Sequence, residues 1–140
     1  MIKKILKLTI LLILFPNTLF ATNKYLKDGI ELFEKKKFVK AKFKFEQNIV
    51  FNPKSELSYL YLSKIFKSLD KINLQEQNLQ TVILINPKNE EAIFNLARLK
   101  LESSDYKKSR ELNEKLNSLC NKFCKESQKL KTEIENLSKK

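Results

Sequence analysis

The sequence predicts an all-α fold, an α-solenoid of about three helix–turn–helix repeats with a C-terminal capping helix. Three observations carry this. One Gly and three Pro in 140 residues are too few for the frequent turns of an all-β chain. Apolar residues recur at helical spacing, as in Leu57, Leu60, Tyr61 and Ile65, then Phe94, Ala97 and Leu101. The phrases Phe51-Asn52-Pro53-Lys54 and Ile85-Asn86-Pro87-Lys88 set two prolines 34 residues apart, which points to an internal repeat.

The first element is a leader over residues 1–21. Lys3, Lys4 and Lys7 precede the apolar run Leu8–Phe15, Pro16 and Asn17 break it, and Thr18-Leu19-Phe20-Ala21 follows. This is the order of a secretory signal peptide, with cleavage expected after Ala21 although Leu19 is larger than the ideal residue there. The run is shorter than the roughly 20 residues that span a bilayer. An uncleaved N-terminal anchor is the alternative. No Cys lies near the cut, so lipid attachment is not expected. Without the leader the chain carries 25 basic and 16 acidic side chains, a net +9 instead of +12.

Sliding the chain by 34 aligns small Gly29, Ser63 and Ala97, and large Tyr25, Tyr59 and Ile93. Phe38, Ile72 and Tyr106 also align. Ala41, Gln75 and Ser109 agree less well, as do Phe45, Leu79 and Asn113. The small residues let paired helices approach closely, and each Pro ends a second helix. First helices are expected over 23–35, 56–68 and 90–102, and second helices over 38–50, 72–85 and 105–120. The repeats then cover 22–55, 56–89 and 90–123.

This pattern resembles the tetratricopeptide repeat, with its theme W-x2-L-G-x2-Y, A-x3-F and P. The first unit matches at Tyr25, Gly29, Leu32, Ala41, Phe45 and Pro53, with Asp28 in the usual Leu place. The second matches at Tyr59, Leu62, Ser63, Phe66, Leu79 and Pro87, with Gln75 for Ala. The third matches at Ile93, Leu96, Ala97 and Ser109, but holds Lys100, Asn113 and Asn121 where the theme has apolar residues and Pro. Residues 124–140 continue as a helix whose stripe of Leu130, Ile134 and Leu137 would seal the array as a cap.

The resemblance implies a partner-binding surface on the first helices. On this chain it maps to Leu26, Ile30, Phe33, Leu60, Lys64, Lys67, Phe94, Arg98 and Leu101, all expected to be accessible. A protein segment joining apolar and acidic side chains would suit it. Family members that grip chaperone C-termini use a clamp of Lys, Asn and Arg. Here its places hold Leu26, Ile30, Tyr61, Glu91 and Asn95, so that function is not supported.

Cys120 and Cys124 flank the last turn, and an exported chain would oxidise them to a clip worth about 2 kcal/mol over a five-residue loop. Free thiols on one helix, or a redox-active pair, are the other readings. No His is present, which removes His-based acid–base chemistry, Ser–His and Cys–His nucleophile pairs and His metal ligands. A single Gly leaves no phosphate-cradling loop. No enzyme activity, cofactor or metal is therefore expected. Glu90-Glu91 reads as a dipole-favoured pair on an exposed helix start. Of 28 basic residues 26 are Lys, spread over nearly every helix, which argues for a solvated surface and against nucleic acid. The function these features support is a protein–protein scaffold or adaptor of the bacterial envelope, soluble in the periplasm. The alternative is an inner-membrane-anchored basic protein contacting anionic lipid or cell-wall polymer.

Overall fold

The computed structural model describes the backbone of residues 17–138 and the side chains of residues 24–138. The first sixteen residues of the expected leader lie outside the described residues. Seven helices follow one another, and no strand occurs among the described residues. They are α1 (Asn17–Glu34), α2 (Phe38–Phe51), α3 (Glu56–Ser68), α4 (Ile72–Ile85), α5 (Glu90–Glu102), α6 (Tyr106–Leu119) and α7 (Cys124–Leu137). The predicted spans for α3, α4 and α5 agree to the residue. Only α1 departs by more than a turn, because its helical backbone already runs at Asn17 instead of starting past Ala21.

The turn inside each pair repeats in detail. Lys36, Asp70 and Ser104 lie 34 residues apart and all adopt left-handed backbone, with φ of 55°, 54° and 62°. The next amide closes back on the helix: Lys37 N–H donates to Leu32 C=O, Lys71 to Phe66 and Asp105 to Lys100, at 2.8–2.9 Å. A left-handed residue with this bond satisfies carbonyls that the helix end would otherwise leave unpaired. The turn after each second helix also has a common origin. Asn52, Asn86 and Cys120 share one register place, and each amide donates to the carbonyl four residues back, of Asn48, Val82 and Leu116. Pro53 and Pro87 then stop α2 and α4. Asn121 stands in the third Pro place, and Cys120 itself turns left-handed there.

The chain forms two compact units, Met1–Ser58 and Tyr59–Lys140. In the first, α1 packs on α2. Gly29 is required there by space: a Cβ on it would stand 2.7 Å from the Phe45 ring, which is fully buried. Asp28, in the usual Leu place, sits 3.6 Å from Lys44, and Lys44 lies over the Tyr25 ring. Tyr25 stacks on Phe51 at 5.7 Å. At the close of this unit Asn48 Nδ2 donates to Ser55 Oγ and Ser58 Oγ, both at 2.8 Å, inside a buried polar cluster.

In the second unit one apolar cluster joins Leu60, Leu79, Val82, Ile93, Leu96, Ala97, Leu116, Leu130 and Ile134. The polar departures from the repeat theme are answered individually. Ser109, in an Ala place, donates to the Ala97 carbonyl at 2.8 Å. Asn113, in an apolar place, is buried and bonds the Ser127 carbonyl and hydroxyl at 3.0 Å. Lys100 pairs with Glu76 at 2.6 Å. The cap expectation for α7 is corrected at one residue: Leu130 and Ile134 are buried, but Leu137 is exposed. It lies in the last turn of α7, past the point where the stripe meets the core.

Candidate partner-binding surface and the clipped turn

The nine residues assigned to a binding surface fall into four groups. Leu26 and Ile30 are half-exposed and line an open depression on α1 together with Lys27, Glu31 and Glu34. These two keep the accessibility expected of them, and Lys67 is likewise exposed. Phe33 and Phe94 are half-buried and committed to neighbours, Phe33 to the Phe38 ring at 5.5 Å and Phe94 to the Phe123 ring at 5.4 Å. Leu60 and Leu101 are corrected: at 4% and 6% exposure they belong to the core. Helical periodicity places a residue relative to the hairpin partner of its own helix alone. A first helix in a stack is covered by more than one neighbour, as the cluster joining Leu101 to Leu130 and Ile134 of α7 demonstrates.

The cations are also partly answered from within. Lys64 Nζ is 2.7 Å from Glu91 Oε1 and 5.0 Å from the Tyr61 ring centroid. Arg98 reaches Glu133 at 2.8 Å and Glu102 at 3.8 Å. At such half-exposed sites each pair contributes at most about 1 kcal/mol. Their importance lies in charge, since two of the three expected cations already face a carboxylate.

Glu90 was expected on an exposed helix start and is instead buried. It opens α5, and its carboxylate accepts three consecutive backbone N–H bonds from the turn before α7. Asn121 N–H donates to Oε1 at 2.9 Å, and Lys122 and Phe123 donate to Oε2 at 2.8 and 2.9 Å. They are successive amides of the turn that ends at Phe123, the N-cap of α7, and the carboxylate takes the place an anion would take in such a concave run of N–H groups. The Phe123 and Lys122 amides, with the Asn121 bonds behind them, hold the Glu90 carboxyl down to about 2 against the opposing cost of burial. Spacing alone could not reveal this, because the partners lie more than thirty residues away.

The same turn carries the disulfide. Cys120 closes α6 and Cys124 opens α7, their Cα atoms are 4.9 Å apart, and the two sulfurs are bonded. Among the expected readings the turn clip is therefore the one the structure adopts. Among the described residues no cluster of His, Cys, Asp or Glu is arranged to hold a metal ion.

No protein-family model matches the chain, and no curated protein is similar to it in sequence. Solved structures are similar in fold. The TPR domain of Arabidopsis OM64 superposes with a TM-score of 0.72 at 21% identity, covering 83% of this chain and 98% of that one. The TPR2B domain of yeast Sti1, in complex with pHsp70, gives 0.76 at 15%, covering 84% and 98%. The Yersinia enterocolitica type III secretion chaperone SycD, in complex with a peptide of the translocator YopD, gives 0.74 at 15%, covering 84% and 94%. The fold is that of a tetratricopeptide-repeat (TPR) domain. Gly29, Ser63 and Ala97 thus stand at the close-packing place of three TPR units. The register also shows a trade of volume: Gly29 accompanies Phe45, while Ser63 and Ala97 accompany the smaller Leu79 and Asn113.

Proposed function

We propose that this chain is a non-enzymatic interaction adaptor that binds a protein segment on the first helices of its TPR units, in the bacterial cell envelope. One observation carries the reading: Leu26 and Ile30, both partly exposed, line an open depression on α1, while Leu60 and Leu101 of the later first helices are consumed by packing. Proteins of similar fold are in complex with protein partners, yeast Sti1 with pHsp70 and SycD with a peptide of YopD. The recognised segment is mainly apolar. Lys64 and Arg98 are already faced by Glu91 and Glu133, so Lys67 supplies the accessible positive charge of the second unit. The chaperone-tail clamp is replaced by Leu26, Ile30, Tyr61, Glu91 and Asn95, none of them a cation that would hold a carboxylate.

Export rests on the order of charges and apolar residues in the first 21 positions. The Cys120–Cys124 bridge supports it, since disulfides persist in oxidising compartments. Two measurements test the reading together. Intact mass of the native protein from an envelope fraction is expected to give a start at Thr22. Affinity capture from that fraction is expected to recover one defined partner, lost on Leu26→Glu with Ile30→Glu while far-ultraviolet circular dichroism is unchanged. Recovery of the same partner by the folded double variant rules out the α1 surface. A native mass that retains Met1 rules out a processed, soluble periplasmic form.

A further inference from the structure

The outer face of α2 is the least expected surface of the molecule. Val39, Phe43 and Val50 are 77%, 59% and 75% exposed. At 100° per residue they fall on one narrow stripe of the helix. The opposite face buries Ala41, Phe45 and Asn48. The repeat itself supplies the control. The register places that match Val39, Phe43, Glu46 and Val50 hold Asn73, Gln77, Gln80 and Leu84 in α4, and Lys107, Glu111, Glu114 and Ser118 in α6. Three of four are polar in α4 and all four in α6. The apolar stripe is therefore particular to α2 and not a requirement of the fold.

Lysines border it. Lys40 and Lys42 flank the stripe on either side, and Lys36 and Lys37 stand at the N-terminal end of the helix. Among the described residues Lys36, Lys37 and Lys40 form no ion pair, while Lys42 is 2.7 Å from Glu46. Glu46 lies on the stripe, and its pairing with Lys42 offsets the charge it would carry into an apolar contact. Bordering cations disfavour a second copy of the chain, which would bring like charges together. The open depression at the N-terminal end of α2, bounded by Lys36, Lys37, Phe38, Val39 and Lys40, does not include Phe43 or Val50 in its lining, so it gives a peptide little of the apolar stripe to enter. An amphipathic helix with an apolar face and bordering lysines matches a flat anionic interface, where the lysine stems extend toward the headgroups.

We propose that α2 docks its Val39–Phe43–Val50 face on the surface of an anionic phospholipid bilayer, lying in the interface without crossing it. No helix among the described residues is long and apolar enough to cross a membrane. The inference does not depend on the partner-binding surface of α1. Phe43 enters the interface with Val39 and Val50, and Lys36, Lys37 and Lys40 meet lipid phosphates.

The chain contains no Trp, so Phe43→Trp in the full chain supplies a single emission at the centre of the face. Vesicles of phosphatidylglycerol at low salt are expected to shift that emission to the blue, and brominated lipid to quench it. Vesicles of phosphatidylcholine leave it unchanged. In this background Val39→Ser with Val50→Ser is expected to weaken partitioning at least about tenfold. Lys40→Gln should weaken it about fivefold, and Glu46→Gln should strengthen it. All these residues are exposed, so circular dichroism should confirm an intact fold. Three outcomes overturn the proposal. Emission that stays water-like on saturating anionic vesicles, while the chain sediments with them, places binding on another segment. Emission that shifts with protein concentration in buffer alone assigns the face to a second copy. Emission that shifts with an acidic amphipathic peptide but not with vesicles assigns it to a protein.

Discussion

Glu90 is the residue whose chemistry and position are most tightly joined. Its carboxylate holds three amides that precede α7, and those amides hold it ionised. The folded-state value of about 2 lies below the ordinary 4.5. Folding therefore favours the ionised form, and the contribution is present in full above about 4.5. It is lost as pH falls from 4.5 toward 2. Glu90→Gln keeps the shape but removes the charge, and it aims an amide at three N–H donors. We expect the variant to be less stable than the parent at pH 7. The gap between their urea midpoints should narrow as pH is lowered through that window. A gap that stays constant down to pH 2.5 would mean that the carboxylate charge is not what holds the turn.

At the scale of elements, the three hairpin turns share a left-handed residue, and none of the three is Gly. A side chain at φ near +60° costs roughly 1 kcal/mol relative to Gly, although Asp is tolerated better than most. Ser104 is exposed, and its φ is 62°. Ser104→Gly is therefore expected to raise stability by about 0.5–1 kcal/mol, less the entropy that Gly returns to the unfolded chain. Thermal melting decides this, and an unchanged or lower midpoint would show that the strain relieved does not exceed that entropy. The helix limits were legible in the sequence because Pro53 and Pro87 punctuate them and small residues mark each first helix. The turn conformation was not legible, because Lys36, Asp70 and Ser104 share no chemistry. Their common property is a backbone angle imposed by the Leu32, Phe66 and Lys100 carbonyls. The accessibility expected of the candidate surface was legible only in part. Leu26, Ile30 and Lys67 kept their places, but Leu60 and Leu101 went to the core, since periodicity assigns a face to a helix without counting how many neighbours cover it.

Over the whole molecule, the division into Met1–Ser58 and Tyr59–Lys140 bears on how damage spreads. In repeat arrays stability is close to a sum of unit terms and nearest-neighbour terms, and terminal caps protect the last apolar face. Here α7 is that cap. Leu130 and Ile134 are each 1% exposed and join the cluster that contains Leu96, Leu101, Leu112 and Leu116. The Cys120–Cys124 bridge and the Glu90 carboxylate both fasten the turn that delivers α7 to this cluster. Ile134→Ala removes apolar volume where little collapse is available, at a cost of roughly 2–4 kcal/mol. The loss should appear as faster hydrogen exchange of the amides of α5, α6 and α7. The amides of α1 and α2, in the other unit, should exchange at the parent rate. Equal acceleration across all helices would show that the chain unfolds as one cooperative body, and that the two units do not open independently.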